Sequence, residues 1–509
     1  MKTMKQLAIT IVAALAFCIT AQAQHLTILS SNDTHSAIMP NQDGRGGLMR
    51  TRVVMDSVRR ADANVLAVHA GDAVQGTVFF SMFRGDVEYA ALDSLGYDII
   101  IMGNHEFDNG IGDIAKYYGN MRANKICSNY DLTGTPCEGI FQPYVIKHVG
   151  DKRVAFIGIN INPKGLIADK CLGSLQYHDA TTVALKLSEY LKTSGLADRV
   201  VMVSHIGHNG REGVPSDVQI AKNSRYIDLI IGGHSHTLVD PSNNNERYPH
   251  IVKNLDGVDV PICQSGGQGE FLGKIDFDLA TGKATFSQIA ITEQYDRQAA
   301  DLYPALNAWL KPYAEQADKK MNTRIATSAM AMDKVTPALG NWVCDAVVEI
   351  GKQLYGDEVT FSLMNRGGIR QPMPEGDVTE GIIEGMLPFD NRLVVIRIKG
   401  EYLLQVFEAL AGRGGDAVSS AVDVVFKHSG ELVSAKINGK KVDPEKYYTL
   451  ITIDYLANGG SRMGDLKKGE QLFVDTIPYG KHVIDYAKQL DAKGKKIKST
   501  DKKRMRYAD

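Results

Sequence analysis

Five short apolar segments of this 509-residue chain end in side chains that commonly bind metal ions. Each segment is rich in β-forming residues and stops at Gly, Asn, Asp or His, which is typical of a buried strand that runs into a loop. The nitrogen and oxygen ligands at these ends are Asp33, His35, Asp72, Asn104, His205, His234 and His236. One such ending would be uninformative, but five of the same kind predict a metal centre.

The number and type of these side chains predict two metal ions. The seven ligands exceed what one tetrahedral or octahedral site normally takes from protein while leaving room for substrate. Two divalent ions about 3.5–4 Å apart suit in-line displacement at phosphorus. We therefore expect hydrolysis of a phosphoester or phosphoanhydride. Imidazole and carboxylate ligands suit Zn, Mn and Fe alike, and we favour Zn or Mn.

The elements that carry these ligands alternate with amphipathic segments between His25 and about Thr292. This alternation predicts buried strands covered by helices, and ligands bind such sheets at the carboxyl ends of the strands. A helical pattern follows from Tyr295 to about Asn322. Its apolar stripe comprises Leu302, Leu306, Trp309, Leu310 and Tyr313. The remainder, 323–509, predicts a second α/β domain, as expected for a chain too long for one core.

The first residues predict export. Lys2 and Lys5 precede an apolar run and the small-residue pattern Ala21-Gln22-Ala23, which is typical of a signal peptide over residues 1–23. Phe17 argues against lipidation of Cys18, so we expect a periplasmic or secreted protein that is not a lipoprotein. The apolar run is too short to span a bilayer. A formal net charge of −2 argues against a chain-wide role in binding nucleic acid or membrane surfaces.

The order D-x-H, GD, GNHE, SH and GHxH resembles that of the calcineurin-like metallophosphoesterases. The form GNHEFD, residues 103–108, together with the second domain, is similar to the 5′-nucleotidase family. This resemblance implies a four-layer αββα metallophosphoesterase sandwich over residues 24–292. It further implies a connecting helix and hinge over 293–322 and an α/β nucleotide-recognition domain over 323–509.

The same resemblance implies a role for each residue of the centre. The first metal would be held by Asp33, His35, Asp72 and His236. The second would be held by Asp72, as the bridge, with Asn104, His205 and His234. His105 and Asp108 would form the catalytic pair, in which His105 supplies charge or a proton to the leaving oxygen. Glu106 would be a surface residue or a supporting hydrogen bonder.

Three stretches of the second domain resemble the family's nucleoside-binding loops, and they imply four substrate contacts. These are Asn365 and Arg370 in NRGGIR, Phe389 in LPF and Tyr455 in YLANGG. The two aromatic rings would sandwich a base. Two departures bear on base and ribose preference. Ser461 replaces an Asp of the better-known members, and no Arg occurs around Val335 where those members carry one.

The leading hypothesis is an exported phosphohydrolase that removes phosphate from nucleoside 5′-monophosphates, with di- and triphosphates or UDP-sugars as further candidates. The alternative enzyme is a 2′,3′-cyclic-nucleotide 2′-phosphodiesterase/3′-nucleotidase, which would use the same metals. A non-catalytic surface-binding protein would be expected to have damaged ligands. A nuclease would need a basic groove. We therefore expect a small-molecule nucleotide as the partner, with no nucleic acid and no stable membrane insertion.

Overall fold

The computed structural model describes residues 25–41, 43–164, 166–167, 169–210, 214–242, 246–389 and 391–508, apart from the side chain of Thr476. The predicted signal peptide lies outside these residues. The chain divides into two compact units. The first comprises residues up to Gln75, Phe83–Pro163 and Lys170–Lys311, and the second comprises Gly76–Met82, Lys164–Asp169 and Pro312–Asp509. No helix in the described ranges is both long and apolar enough to cross a membrane.

Two six-stranded sheets form the centre of the first unit. Its strands are β1 (His25–Ser31), β2 (Val65–His69), β3 (Ile99–Ile100), β4 (Asn124–Lys125), β5 (Tyr130–Asp131), β6 (Tyr144–Val149), β7 (Lys152–Asn160), β8 (Gln176–Tyr177), β9 (Arg199–His205), β10 (Leu229–Ile231), β11 (Ile251–Lys253), β12 (Asp259–Cys263), β13 (Phe271–Asp278) and β14 (Ala284–Ala290). The sheet orders are β14-β13-β1-β2-β3-β4 and β11-β12-β10-β9-β7-β6, and β5 pairs with β8. Strands β1 to β4 are parallel, as are β7, β9, β10 and β12.

Alternation along β7 shows how the layers are built. Val154 and Phe156 belong to the core shared by the two sheets, whereas Ala155 and Ile157 belong to a second core that includes helix residues. The helices up to residue 322 are α1 (Leu48–Ala61), α2 (Val78–Phe83), α3 (Asp86–Leu95), α4 (Ile111–Tyr118), α5 (Asp169–Leu172), α6 (Ala180–Thr193), α7 (Asp217–Asn223), α8 (Asp296–Leu302) and α9 (Pro304–Asn322). Helices α6 and α7 cover the second sheet, and α1 and α3 line a small cavity with β1 and β13 of the first. The predicted four-layer sandwich is confirmed.

The predicted connecting helix is interrupted at Tyr303. This residue has φ −128° and ψ 52°, outside the helical region, because a residue before proline is disfavoured there and Pro304 follows. Leu302 is 52% exposed and therefore does not extend the predicted apolar stripe, whereas Leu310 is buried. The prediction of one continuous helix was wrong at its start, but α9 does end at Asn322 as expected.

The second unit is also α/β and has one large apolar core. Its strands are β15 (Arg324–Ser328), β16 (Phe361–Met364), β17 (Gly376–Thr379), β18 (Arg392–Lys399), β19 (Ala417–Val418), β20 (Val422–Phe426), β21 (Leu432–Ile437), β22 (Lys440–Lys441), β23 (Tyr447–Ile453), β24 (Glu470–Pro478) and β25 (Met505–Tyr507). Its helices are α10 (Pro337–Leu354), α11 (Glu380–Met386), α12 (Gly400–Ala411), α13 (Asp454–Ala457) and α14 (Tyr479–Ala492). The sheet orders are β19-β16-β23-β18-β24, β22-β21-β20-β25 and β15-β17.

A buried carboxylate in the helix layer should make the stability of the fold depend on pH. Burial raises the pKa of Glu88, on α3, from 4.5 to about 7. The folded protein therefore holds this proton more tightly than the unfolded chain, so the associated stability is complete below pH 4.5 and is lost as the pH rises through 7. Relative to the wild type, the free energy of unfolding of Glu88→Gln should therefore rise by about 2–3 kcal/mol between pH 5 and pH 8. Urea unfolding at both pH values measures it, and a constant difference would contradict the assignment.

Candidate metal centre

The predicted metal ligands lie at the carboxyl ends of neighbouring parallel strands. In the first sheet, Asp33 follows β1, Asp72 follows β2 and Asn104 follows β3. His35 also follows β1. In the second sheet, His205 ends β9, and the loop after β10 carries His234 and His236. Because parallel neighbours end at the same edge of a sheet, these loops converge.

The structure brings the ligands together in two groups. Asp33, His35 and His236 form the first group, and Asp72, His205 and His234 form the second; within each group one ligand atom per residue lies within 4.8 Å of the others. In the first group, His35 Nε2 lies 2.9 Å from His236 Nε2. In the second, His205 Nε2 lies 3.0 Å from Asp72 Oδ2. Each group contains three of the four residues that the family resemblance implies for one metal site.

Two further contacts connect the remaining ligand to the second group and the two groups to each other. The Oδ1 atom of Asn104 lies 2.8 Å from Nδ1 of His234, so the amide oxygen belongs with the second group. Oδ2 of Asp72 lies 3.8 Å from Nε2 of His35, in the first group. The Asp72 carboxylate therefore faces both groups, as a bridging ligand must.

Backbone carbonyls orient two of the imidazoles. Nδ1–H of His205 donates to the carbonyl of Ala70 at 2.7 Å, and Nδ1–H of His35 donates to that of Gln75 at 3.1 Å. Each ring is thereby oriented with Nε2 pointing at the ligand cluster. The two carbonyl oxygens therefore hold the imidazoles in an orientation that suits metal binding.

Five of the seven ligands adopt a left-handed backbone conformation that non-glycine residues rarely use. They are Asp33 (φ 50°), His35 (φ 47°), Asp72 (φ 55°), His234 (φ 75°) and His236 (φ 51°). Each such residue costs on the order of 1–3 kcal/mol and persists only where its surroundings enforce it. Strain concentrated on the ligands indicates that these loops are shaped for binding.

The electrostatics of the cluster favour a bound cation. Burial raises the pKa of Asp33 to about 7, with His205 opposing and Asp72 adding to the shift. Burial alone would raise the pKa of Asp72, but His205 and His105 hold it well below its usual range. For His205, burial lowers the pKa, but the carboxylates of Asp72 and Asp33 raise it to about 10. The buried carboxylates thus attract positive charge, as the proton on His205 shows. Imidazole nitrogens and an amide oxygen that can bind a metal ion lie beside them, so the cluster fits two divalent ions.

The predicted catalytic pair is in hydrogen-bonding contact beside the first group. His105 begins a short 3₁₀ helix, His105–Phe107, and its Nδ1 lies 2.9 Å from Oδ2 of Asp108. The His105 ring lies 5.2 Å from the His35 ring, and its side chain is partly exposed. The contact with Asp108 fixes the orientation of the His105 imidazole.

Glu106 supports the centre through hydrogen bonds to the backbone. Its carboxylate is buried and accepts the N–H groups of Gly103 at 2.5 Å, Asp72 at 3.1 Å and Ala73 at 2.8 Å. It therefore ties the loop after β2 to the loop after β3. Of the two expectations for Glu106, the supporting role fits the structure and the surface position does not.

The four predicted substrate contacts lie in the second unit. Asn365 precedes the 3₁₀ helix Arg366–Gly368, and Arg370 and Phe389 are both partly exposed. The Tyr455 ring packs against Gly460, where a Cβ atom would lie 2.5 Å from the ring, so only glycine fits. The hydroxyl of Tyr455 accepts the N–H of Ser461 at 3.1 Å. Ser461 thus supports the tyrosine through its backbone.

Comparison with known proteins connects the two halves of the chain to one family. Residues 26–238 match the calcineurin-like phosphoesterase model, and residues 317–468 match the model of the 5′-nucleotidase C-terminal domain. The chain belongs to the 5′-nucleotidase family. As a member with a calcineurin-like domain, which uses a two-metal centre, it is a phosphoric ester hydrolase. The predicted family, fold class and enzyme class are confirmed.

Similar proteins share the architecture over nearly their full length. The 5′-nucleotidase of Rattus norvegicus is 27% identical over 506 residues, covering 90% of this chain and 86% of the relative. That of Homo sapiens is 28% identical, with coverage of 86% and 84%. The crystal structure of a 5′-nucleotidase precursor from Thermus thermophilus superimposes with a TM-score of 0.81 at 27% identity, covering 95% of this chain and 99% of that one.

Proposed function

We propose that this protein removes phosphate from nucleoside 5′-monophosphates with the help of two divalent ions. The observation that carries this proposal is that two groups of metal-type ligands lie in a chain whose second half matches the 5′-nucleotidase C-terminal domain. Relatives named 5′-nucleotidases align with most of the chain. Nucleoside di- and triphosphates and UDP-sugars are further candidate substrates.

In this proposal the first ion is held by Asp33, His35, Asp72 and His236, and the second by Asp72, Asn104, His205 and His234. The bound ions supply positive charge that stabilises the attacking and leaving oxygens. The other steps belong to side chains. Asp108 accepts Nδ1–H of His105 and so orients the imidazole, and Nε2 of His105 would hold or give a proton at the leaving oxygen.

We propose that nucleoside recognition belongs to the second domain, residues 323–509, with residues 293–322 as the hinge from the catalytic domain, 24–292. Phe389 and Tyr455 would stack on the base, at roughly 1–3 kcal/mol for each ring. Asn365 and Arg370 would contact the sugar or an anionic group. The buried Oδ1 of Asn365 has no hydrogen-bond partner among the described residues, which supports a polar role for this side chain.

We also propose export to the periplasm or the medium. The sequence pattern over residues 1–23 supports this, and a snake venom 5′-nucleotidase from Gloydius brevicauda is 28% identical over 513 residues. Expression with and without residues 1–23, followed by fractionation, tests it. Retention of the full-length chain in the cytoplasm would contradict export.

A substrate panel tests the proposed specificity. Metal-free protein is reloaded with Mn²⁺ or Zn²⁺ and assayed on AMP, UMP, 3′-AMP, 2′,3′-cyclic AMP and UDP-glucose, with p-nitrophenyl phosphate as a substrate that lacks a nucleoside. We expect the highest kcat/KM on a 5′-monophosphate, because base stacking adds to recognition of the phosphate. Turnover of the 3′- and cyclic substrates alone would replace the proposal by the cyclic phosphodiesterase/3′-nucleotidase. Metal binding without any turnover would favour the non-catalytic alternative.

A further inference from the structure

The loop after β10 carries a ligand of each metal group. His234 belongs to the second group and His236 to the first, two residues apart in one turn. Both have a strained left-handed backbone. The loop also approaches its surroundings closely at Gly233, where a Cβ atom would lie 2.6 Å from the Ala70 carbonyl oxygen. Such a loop needs fixed partners to keep two ligands of different sites in register.

Gln264 is placed to be that partner. It is the first residue after β12, which runs parallel to β10 with Cys263 paired to Ile231. The two strands therefore end side by side, and the Gln264 side chain reaches the loop that follows β10. This side chain is 1% exposed.

The amide of Gln264 contacts the loop before, between and after the two histidines. Nε2 donates to the Gly233 carbonyl at 2.9 Å. Oε1 accepts the Ser235 hydroxyl at 2.9 Å and the Thr237 N–H at 2.5 Å. The same hydroxyl accepts the N–H of His208 at 3.0 Å, which extends the network to the loop after β9.

These contacts need one donor and two acceptor positions on a planar group, which only a carboxamide of this length provides. An apolar replacement would leave the Thr237 N–H without its buried acceptor. It would also remove one of the two donors to the Gly233 carbonyl, which accepts the N–H of Ser235 as well, at 3.0 Å. A carboxylate would keep the acceptor but place an oxygen against the Gly233 carbonyl. The network therefore fixes both the residue type and the orientation of its amide.

We propose that Gln264 is a positioning residue that sets the geometry of both metal sites by fixing the loop between Gly233 and Thr237. The inference rests on the proposed two-metal function. It assigns to Gln264 no contact with an ion or with substrate. Its effect passes through the backbone of His234 and His236, so its loss should weaken both sites together. Loss of a ligand that belongs to one group only, such as His236, should weaken one site.

The test is calorimetric titration of the metal-free full chain with Mn²⁺. Gln264→Met, of similar length and volume, should still bind two ions but with affinity reduced by about 10–100-fold at both sites, as is typical when a residue that orients metal ligands is lost. Gln264→Glu keeps the acceptor and should bind more weakly than the wild type. Thermal unfolding in EDTA establishes that each variant is folded, and the Glu variant carries the test where the Met variant does not fold.

Gln288→Met is the matched control. Gln288 is a neighbouring glutamine that donates to the carbonyls of Val239 and Gln264, and among the described residues its side chain makes no hydrogen bond to residues 233–237. Its variant should bind Mn²⁺ within about twofold of the wild type. Wild-type affinity at both sites in a folded Gln264 variant, or an equal loss in the control, would overturn the proposal. Failure of the wild type to hydrolyse nucleotides would leave this titration intact and would instead contradict the proposed function.

Discussion

His105→Ala should lower kcat on a nucleoside 5′-monophosphate by roughly 10²–10⁴-fold while two metal ions remain bound. The His105 side chain belongs to neither ligand group, and its Nδ1 contacts Asp108. Its removal therefore takes away proton transfer or charge at the leaving oxygen and leaves the ligands in place. Steady-state kinetics and elemental analysis of the dialysed protein measure the two quantities separately.

His236→Ala, in contrast to His105→Ala, should lose the metal ion of the first site. Nε2 of His236 lies 3.4 Å from Oδ1 of Asp33, and its side chain is 38% exposed. Because the ring is not part of the packed core, its loss should remove about one equivalent of metal with little loss of folding stability. His148→Ala, at an exposed histidine on β6, should keep both ions and full activity. Equal metal loss in the His105 and His236 variants would overturn the assigned roles.

The parts of the site that sequence reasoning predicted are those encoded by local pattern. A strand that stops at Asp or His is visible as an apolar run followed by a polar residue, and parallel strands bring their ends together. For this reason the sequence predicts the seven ligands as a set, and the structure brings them together. The break at Tyr303 also had a local signal, since Pro304 follows it.

The supporting residues had weaker signals because their roles depend on tertiary contacts. Glu106 is one polar residue among several in GNHEFD, and only the fold shows which backbone N–H groups converge on its carboxylate. The sequence analysis assigns no role to Gln264, although this residue ends the run PICQ just as the ligands end theirs. The strand-end pattern could have marked it as a sixth ending, but glutamine is a less common metal ligand than histidine or aspartate, so the pattern gave it no role.

Glu106→Met should disrupt both the fold near the centre and the binding of metal. Methionine fills a similar volume, but the N–H groups of Gly103, Asp72 and Ala73 lose their buried acceptor. Each orphaned donor costs about 1–3 kcal/mol, so the free energy of unfolding in EDTA should fall by roughly 3 kcal/mol or more. Both ions should be lost, because Asp72 faces both groups and Asn104 follows Gly103 directly.

Glu106→Gln tests whether the loss of stability follows the number of hydrogen bonds that are lost. Oε2 accepts two of the three N–H groups and Oε1 accepts only that of Ala73, so an amide NH₂ in the Oε1 position loses one bond and keeps two. The loss of stability should therefore be about 1–3 kcal/mol, with metal affinity reduced by roughly 10–100-fold. Glu88→Gln is the control, since Glu88 is as deeply buried but bonds to neither loop; at pH 8 it should be no less stable than the wild type and should bind both ions. Hydrogen bonding to three separate donors predicts a smaller loss of stability for Gln than for Met. Equal destabilisation by the two substitutions would contradict this and would show that the carboxylate acts through its charge.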